Sequence, residues 1–413
     1  MRVRKGLAAM AGLLASALAV TGCGGSGGSD GATTSVSMWV YPVISDEAQH
    51  RAFWDDKVAA FKAENSGIDV KVEIFPWANR DQSLSTALAG NKGPDVVYLI
   101  PDQLPKYARN IEPVDTYLDA AAKDDYLDNV KESVTIDGKM MGAPILTSAQ
   151  GLLCNKKVFA AVGQTTYPKT WDELLAMAPA FKAKGFDMTA YPGDPKQTLN
   201  LTFYPLLWQA GGDVFGSDGT SAAFNSDAGR KALTFLKQLV DGGYVDKSLI
   251  TALPPIEQTR IGQGKVGCVW HLEPAAVEPV WGKDNIQALA PLTGTKQAQY
   301  GTVGSLVMLR GAEDKAAAGK WISFATAPEN AKEYDLAARF FSPKKSVGTL
   351  YPADPVLGEL EKNVGLTTVG PLNEKSRDIM GALAPEIQAA LLGRKPVDRA
   401  LGDAEKAANA LLG

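Results

Sequence analysis

Histidine is nearly missing from this 413-residue chain: His50 and His271 are the only two. Neither lies among other ligand-type residues at metal spacing, so no imidazole-bound zinc site is readable, and calcium-loop spacing is absent as well. Cysteine is almost as scarce, with Cys23, Cys154 and Cys268. Three cysteines exclude a cysteine-rich scaffold and leave room for one disulfide in an oxidising compartment. After residue 22 no apolar run reaches the ~20 residues that a bilayer-spanning helix needs. Basic excess is lacking too, since 42 Lys and Arg face 46 Asp and Glu for a formal charge of −4. Without Arg2, Arg4 and Lys5 the charge falls to about −7, which argues against nucleic acid or an anionic membrane surface as partner. No internal repeat is present.

What is there begins with an export layout. A basic front (Arg2, Arg4, Lys5) precedes an apolar stretch from Leu7 to Val20, and small residues lead into Cys23. Such a segment belongs to targeting and not to the fold. The cysteine after Val20-Thr21-Gly22 resembles the bacterial lipobox, whose thiol receives a diacylglycerol and becomes the mature N-terminus. Residues 1–22 are therefore read as a lipoprotein signal peptide and 23–34 as a flexible Gly/Ser tether. That places the remaining domain on the outer face of the cytoplasmic membrane, held there by its lipid.

Beyond the tether, strands and helices alternate. SVSMWV (35–40) and IDVKVEIF (68–75) read as strands, and GPDVVYLI (93–100) as a buried one bounded by Gly-Pro and Pro101. Residues 46–65 and 79–90 carry helical spacing between them. Thr170 and Glu173 make a capping-box pair at the start of a later helix, and 397–411 is amphipathic. Such alternation implies parallel sheets covered by helices.

Short catalytic patterns fall in the wrong places. Gly24–Gly28 fits the hydrolase elbow, and Gly22, Gly24 and Gly27 fit the dinucleotide fingerprint, but both lie in the tether. Gly262, Gly264 and Gly267 fit the fingerprint again yet precede a strand instead of joining strand to helix. No nucleophile–base pair assembles without invented contacts, and no cofactor is implied.

The ordered series GPDVVYL, GKMMGAPI, GLLCNK, YPKTWDELL, LLWQAGGDVF, GQGKVG, FFSPKKSV and GRKPVDRAL resembles the extracellular solute-binding proteins of carbohydrate ABC importers. The nearest group is the one typified by maltose-binding protein. The resemblance spans essentially everything after residue 34 and implies a non-enzymatic monomer serving an ABC permease. It also implies a two-lobe α/β fold, each lobe a mostly parallel sheet flanked by helices, joined by hinge crossovers. By analogy the N-lobe takes 35–146 and 291–341, and the C-lobe 147–290 and 342–413. Cys154 and Cys268 then share one lobe; whether they bond or sit as two separate buried thiols depends on whether their strands are neighbours.

Ligands of open α/β sheets lie beyond the carboxyl ends of the strands. Sugars call for aromatic rings against their C–H faces and carboxylates or amides for their hydroxyls. The positions that fit are Trp39, Tyr41, Trp77 and Asp102 from one lobe, His271 and Glu273 from the other, and Ser148 at a crossover. Tyr204, Phe341 and Arg377 complete the set. Each has a plainer reading: Trp39 and Tyr41 as strand packing, Asp102 as a helix cap, Tyr204 with Trp208 as a core stripe. Asp102 falls where the family commonly keeps a sugar-binding carboxylate. Leu99, Glu273 and Met380 stand where maltose-binding protein has aromatics, so the maltodextrin platform is largely gone and a different saccharide is expected. Arg80, Lys344 and Arg377 are the only basic candidates for a glycerol-3-phosphate-like or other acidic ligand. A secreted glycosidase is the remaining alternative of another class.

Overall fold

The computed structural model describes residues 33–413; the expected signal peptide, Cys23 and nearly all of the expected tether lie outside the described residues. The chain builds two lobes around separate cores. The first lobe opens with β1 (Thr34–Val40), the helix α1 (Glu47–Glu64) and β2 (Ile68–Ile74), with β1 and β2 paired in parallel. Asp46 caps α1 by accepting from the Gln49 N–H at 2.8 Å, as Asp does when it frees a helix start from its orphan donors. Next come α2 (Arg80–Ala89) and β3 (Val96–Leu99), which pairs in parallel with β1. Short β4 (Ile111–Glu112) and a hairpin of β5 (Thr135–Ile136) and β6 (Lys139–Met140) follow. The hairpin loop Asp137-Gly138 has φ of 51° and 72°, the left-handed pair that a twisted two-residue turn requires.

The chain leaves this lobe through β7 (Ala143–Thr147) and enters the second with β8 (Leu152–Asn155). Its sheet adds β9 (Asp187–Thr189), β10 (Val266–Val269) and β11 (Ile286–Leu289) in the order β11-β8-β10-β9. Two-residue β12 (Gln299–Tyr300) precedes β13 (Val303–Leu309), which returns to the first lobe beside β3. A last strand, β14 (Thr367–Thr368), pairs with β12.

The sheets are mixed and not mostly parallel. In the first lobe β13 runs antiparallel to β3, β4 and β7. In the second, β8 runs antiparallel to both β10 and β11. The reason is connectivity: a strand that re-enters from the other lobe arrives from the hinge end, opposite to strands laid down by local crossovers. The return also comes late. Leu292 and Ala298 pack in the second core, and the first core resumes only at Val303, so the N-lobe does not begin again at 291.

Cys268 and Cys154 are direct partners in the antiparallel β8–β10 ladder, and they form a disulfide with Cα atoms 4.0 Å apart. Thr170 caps the helix Trp171–Ala183 by accepting from the Glu173 N–H at 3.1 Å. Glu173 reaches back past the cap to the Lys169 N–H instead.

Three segments cross between the lobes and are laced edge to edge. Thr147 and Phe341 exchange two backbone hydrogen bonds of 2.8 Å. The Ser148 N–H donates to Thr302 O at 2.9 Å, and the Thr302 N–H donates to the Ser148 hydroxyl at 2.9 Å. Gln150 N–H then meets Tyr300 O at 3.2 Å. Gly301 is required in this lacing because a Cβ there would sit 2.2 Å from the Ser148 carbonyl oxygen.

Candidate functional site at the interlobe cleft

A cavity of about 450 Å³ lies where the lobes face each other. The first lobe supplies Pro42, Trp77, Arg80, Tyr98 and Ile100, and the second Glu273, Pro274 and Ala275. Ser148, Thr302 and Phe341 form its hinge side, with Arg339 and Phe340 beside them. A larger recess of about 900 Å³ lies between residues 129–135 and 365–373, but none of the ten candidate ligand residues lines it. We place the site in the smaller cavity because aromatic and charged side chains converge there from both lobes.

The aromatic wall is built by strand ends. Tyr41, just past β1, stacks on Trp77 at 5.1 Å between centroids and meets Tyr98 edge-on at 6.5 Å. Trp77 donates its indole N–H to Pro42 O at 3.0 Å and remains 41% exposed, the most open Trp among the described residues. The Arg80 guanidinium lies 5.0 Å over the same indole. Tyr98 reaches this wall only because residue 304 is glycine; a Cβ there would come within 2.0 Å of the Tyr98 hydroxyl. Burial pushes the Tyr41 hydroxyl up to about 12, with Arg80 pulling the other way.

A polar group around Tyr300 lies outside the residues that line this cavity. Burial raises its phenol to about 12, against a hydrogen bond with Thr302, and Asp102, Glu273 and Arg377 all act on it electrostatically. Asp102 sits in the 3₁₀ turn Pro101–Gln103 and accepts from Arg377 at 2.6 Å, an ion pair that crosses the cleft. Its second oxygen, Oδ1, is buried with no protein partner among the described residues. Arg377 occupies the first turn of the helix Ser376–Leu391. Burial works against its charge, yet Asp102 outweighs it and the pKa rises. Glu273 precedes the helix Pro274–Trp281, and the surrounding protein raises its pKa although the carboxylate opens on the cleft. A second interlobe pair is bidentate: Arg339 donates to Glu278 at 2.9 and 2.6 Å.

The cavity thus gathers Trp77, Ser148, Glu273 and Phe341, with Tyr41 behind Trp77 and Asp102–Arg377 next to Tyr300. Three expectations are corrected. Trp39 lies inside β1, not after it, and packs on Phe75 at 4.3 Å. Tyr204 is wholly buried in the second core, 5.9 Å from Trp208. His271 is 5% exposed and is not among the residues lining this cavity, and burial holds its pKa down at about 3. Asp102 is not a cap either, since Gln103 provides the side-chain contact to the Ile100 N–H. Tyr98, Tyr300 and Arg339 were missed. The signal that could have found two of them is the glycine pair in YGTVGS, where Gly301 and Gly304 clear space for close approach.

The model of one family, described as bacterial extracellular solute-binding protein, matches residues 45–332. A Brucella abortus protein named only as a binding protein is 24% identical over 382 residues, covering 90% of this chain and 92% of its own. The diacetylchitobiose binding protein DasA of Streptomyces coelicolor is 29% identical over 180 residues, 41% of each chain. Among solved structures, the cyclic alpha-maltosyl-1,6-maltose binding protein of Arthrobacter globiformis superposes with a TM-score of 0.82 at 22% identity. That match covers 92% of this chain and 99% of the other, and at such identity it shows the shared two-lobe fold.

Proposed function

The chain belongs to the family of bacterial extracellular solute-binding proteins, and from that premise we propose that it captures a short oligosaccharide between its lobes and delivers it to an ABC permease. The observation that carries this reading is an aromatic wall from one lobe facing the Glu273 carboxylate of the other across one cavity. Trp77, open on the cavity, offers apolar ring surface to sugar C–H groups, and Glu273 and Asp102 accept hydroxyls. A volume of about 450 Å³ lies in the ordinary range for a small-ligand site, ~300–1,000 Å³. Two of the similar proteins are named for binding oligosaccharides, which supports the same class.

Capture in this reading is hinge closure. The laced crossovers bend, and Asp102–Arg377 and Arg339–Glu278 come together as the cleft shuts. The ligand then replaces water on groups already aimed at it. The relatives are binding proteins and not enzymes, so this chain is read as releasing its ligand unchanged. The family acts outside the cytoplasm; for this member we infer further that Cys23 carries the lipid and that residues beyond it tether a monomer to the membrane.

The test is a thermal-shift and calorimetric screen of the purified protein against mono- and oligosaccharides, since a ligand that binds only the folded state raises the melting temperature. Chromatography of the same mixtures must recover the sugar intact. Cleavage products would support the glycosidase alternative, and a flat screen would overturn the carbohydrate reading.

A further inference from the structure

Two cations line the cavity, and they are unlike. Arg339 is satisfied by the bidentate Glu278 carboxylate. Arg80 has no such partner among the described residues. Its nearest carboxylate oxygen is Asp81 Oδ1 at 3.8 Å from Nε, beyond hydrogen-bond length. That oxygen is already taken by the Gln103 side-chain amide. The Arg80 side chain is 15% exposed, and it lines the cavity. A guanidinium that faces a confined cavity with no protein acceptor can make charge-assisted hydrogen bonds to an anion that enters it.

The position of Arg80 is also fixed. Tyr41 stacks on Trp77 at 5.1 Å, and the guanidinium lies over the same indole at 5.0 Å. The indole restrains the guanidinium, whose forked N–H groups suit a planar or tetrahedral anion. Arg80 also begins α2, whose cap residue Asn79 makes no side-chain capping bond, so the helix start adds to the positive potential. On the opposite lobe Glu273 is likewise without a partner among the described residues, and its negative charge repels an anionic group from that end.

We propose that the ligand is an acidic saccharide, a sugar bearing a carboxylate or phosphate, whose anionic group is received by Arg80 while Glu273 accepts hydroxyls at the other end. This rests on the solute-binding reading of the same cleft. It makes Arg80 a specificity-determining contact and gives the ligand one orientation.

Titration calorimetry of the purified protein with digalacturonic acid, glucose 6-phosphate and glycerol 3-phosphate, beside galactobiose, maltose and glucose, tests it. An acidic probe should bind at least ~10-fold more tightly than its neutral counterpart, with affinity falling as salt rises. The carboxylate and phosphate arms show which anion is preferred. Arg80→Gln should weaken the acidic probe ~10- to 100-fold, the range for a charged hydrogen bond, and Arg80→Lys should recover part of it. Melting curves of both variants exclude unfolding as the cause. Neutral sugars binding as tightly as acidic ones, or Arg80→Gln binding the acidic probe like the parent, would overturn the inference and leave the carbohydrate reading standing. Binding of no sugar, acidic or neutral, would overturn both.

Discussion

The two lobes reach the same purpose with different means. The first has a six-stranded sheet and an aromatic core in which Trp321 packs on Phe61 at 5.2 Å and on Trp54 at 6.3 Å between centroids. The second has four short strands, none longer than four residues, and its two central ones are bonded by Cys154–Cys268. Short strands share few ladder hydrogen bonds, and a cross-link closing a loop of 114 residues adds stability by constraining the unfolded chain. The disulfide also lies immediately before Trp270–Glu273, so it steadies the strand that presents the second lobe's carboxylate to the cleft. The lesson is that rigid cleft walls matter more than how each wall is made rigid.

The sharpest break in that comparison comes from removing an aromatic from each core. Trp321→Ala in the first lobe and Trp171→Ala in the second, where Trp171 stacks on Phe235 at 4.6 Å, should each cost ~3–5 kcal/mol. Denaturant titration should show the loss in one lobe's transition when the lobes unfold separately. Equal loss in a single transition would mean that the hinge couples them.

Replacing both cysteines by alanine should cost ~2–4 kcal/mol and act on the second lobe. Counting thiols in denaturant on non-reduced protein checks the bond itself, since two reactive thiols would refute it.

Each lobe also buries one histidine in its neutral form. Burial lowers His50 to about 4, and Arg51 adds to the shift; burial alone lowers His271 to about 3. The unfolded chain takes up protons on both rings below about 6.5, whereas the folded one does not until far lower pH. Stability is therefore full above about pH 6.5 and falls as pH drops toward 4, by about 1–2 kcal/mol per histidine at pH 5. Denaturant melts at pH 7.5 and 5 read this directly. A His271→Gln variant that loses as much stability on acidification as the parent would contradict it.

Asp102→Asn should change stability least, by under about 1 kcal/mol, because Arg377 is 58% exposed and solvent-screened. Its effect belongs to the space between the lobes. Ligand affinity should fall ~10- to 100-fold, and small-angle scattering should report a more open average shape without ligand. Unchanged affinity would remove Asp102 from the site.

Local patterns made much of this molecule legible. The strand at 35–40, the helices begun by Asp46 and Thr170 and the buried strand before Pro101 are short-range features written in alternation, caps and breakers. That Trp77 and Glu273 line the cavity was also readable, because residues just past strand ends face the cleft in open α/β folds. Trp39 misled because β1 runs one residue beyond it, and Tyr204 because a helical stripe of aromatics reads alike in a core and in a cleft. Arg339 was invisible for another reason: its left-handed φ of 59° at a helix end turns it toward Glu278, and nothing local announces that.

By itself the sequence determined the alternation of strands and helices and the family, which rest on residues near one another in the chain. Only the tertiary structure decided that Cys154 meets Cys268, that the sheets are mixed, and that Trp77, Arg80, Tyr98, Glu273 and Arg339 share one cavity. Those facts depend on strand register and on three hinge crossings that bring together residues hundreds of positions apart, and no local periodicity encodes such a distance.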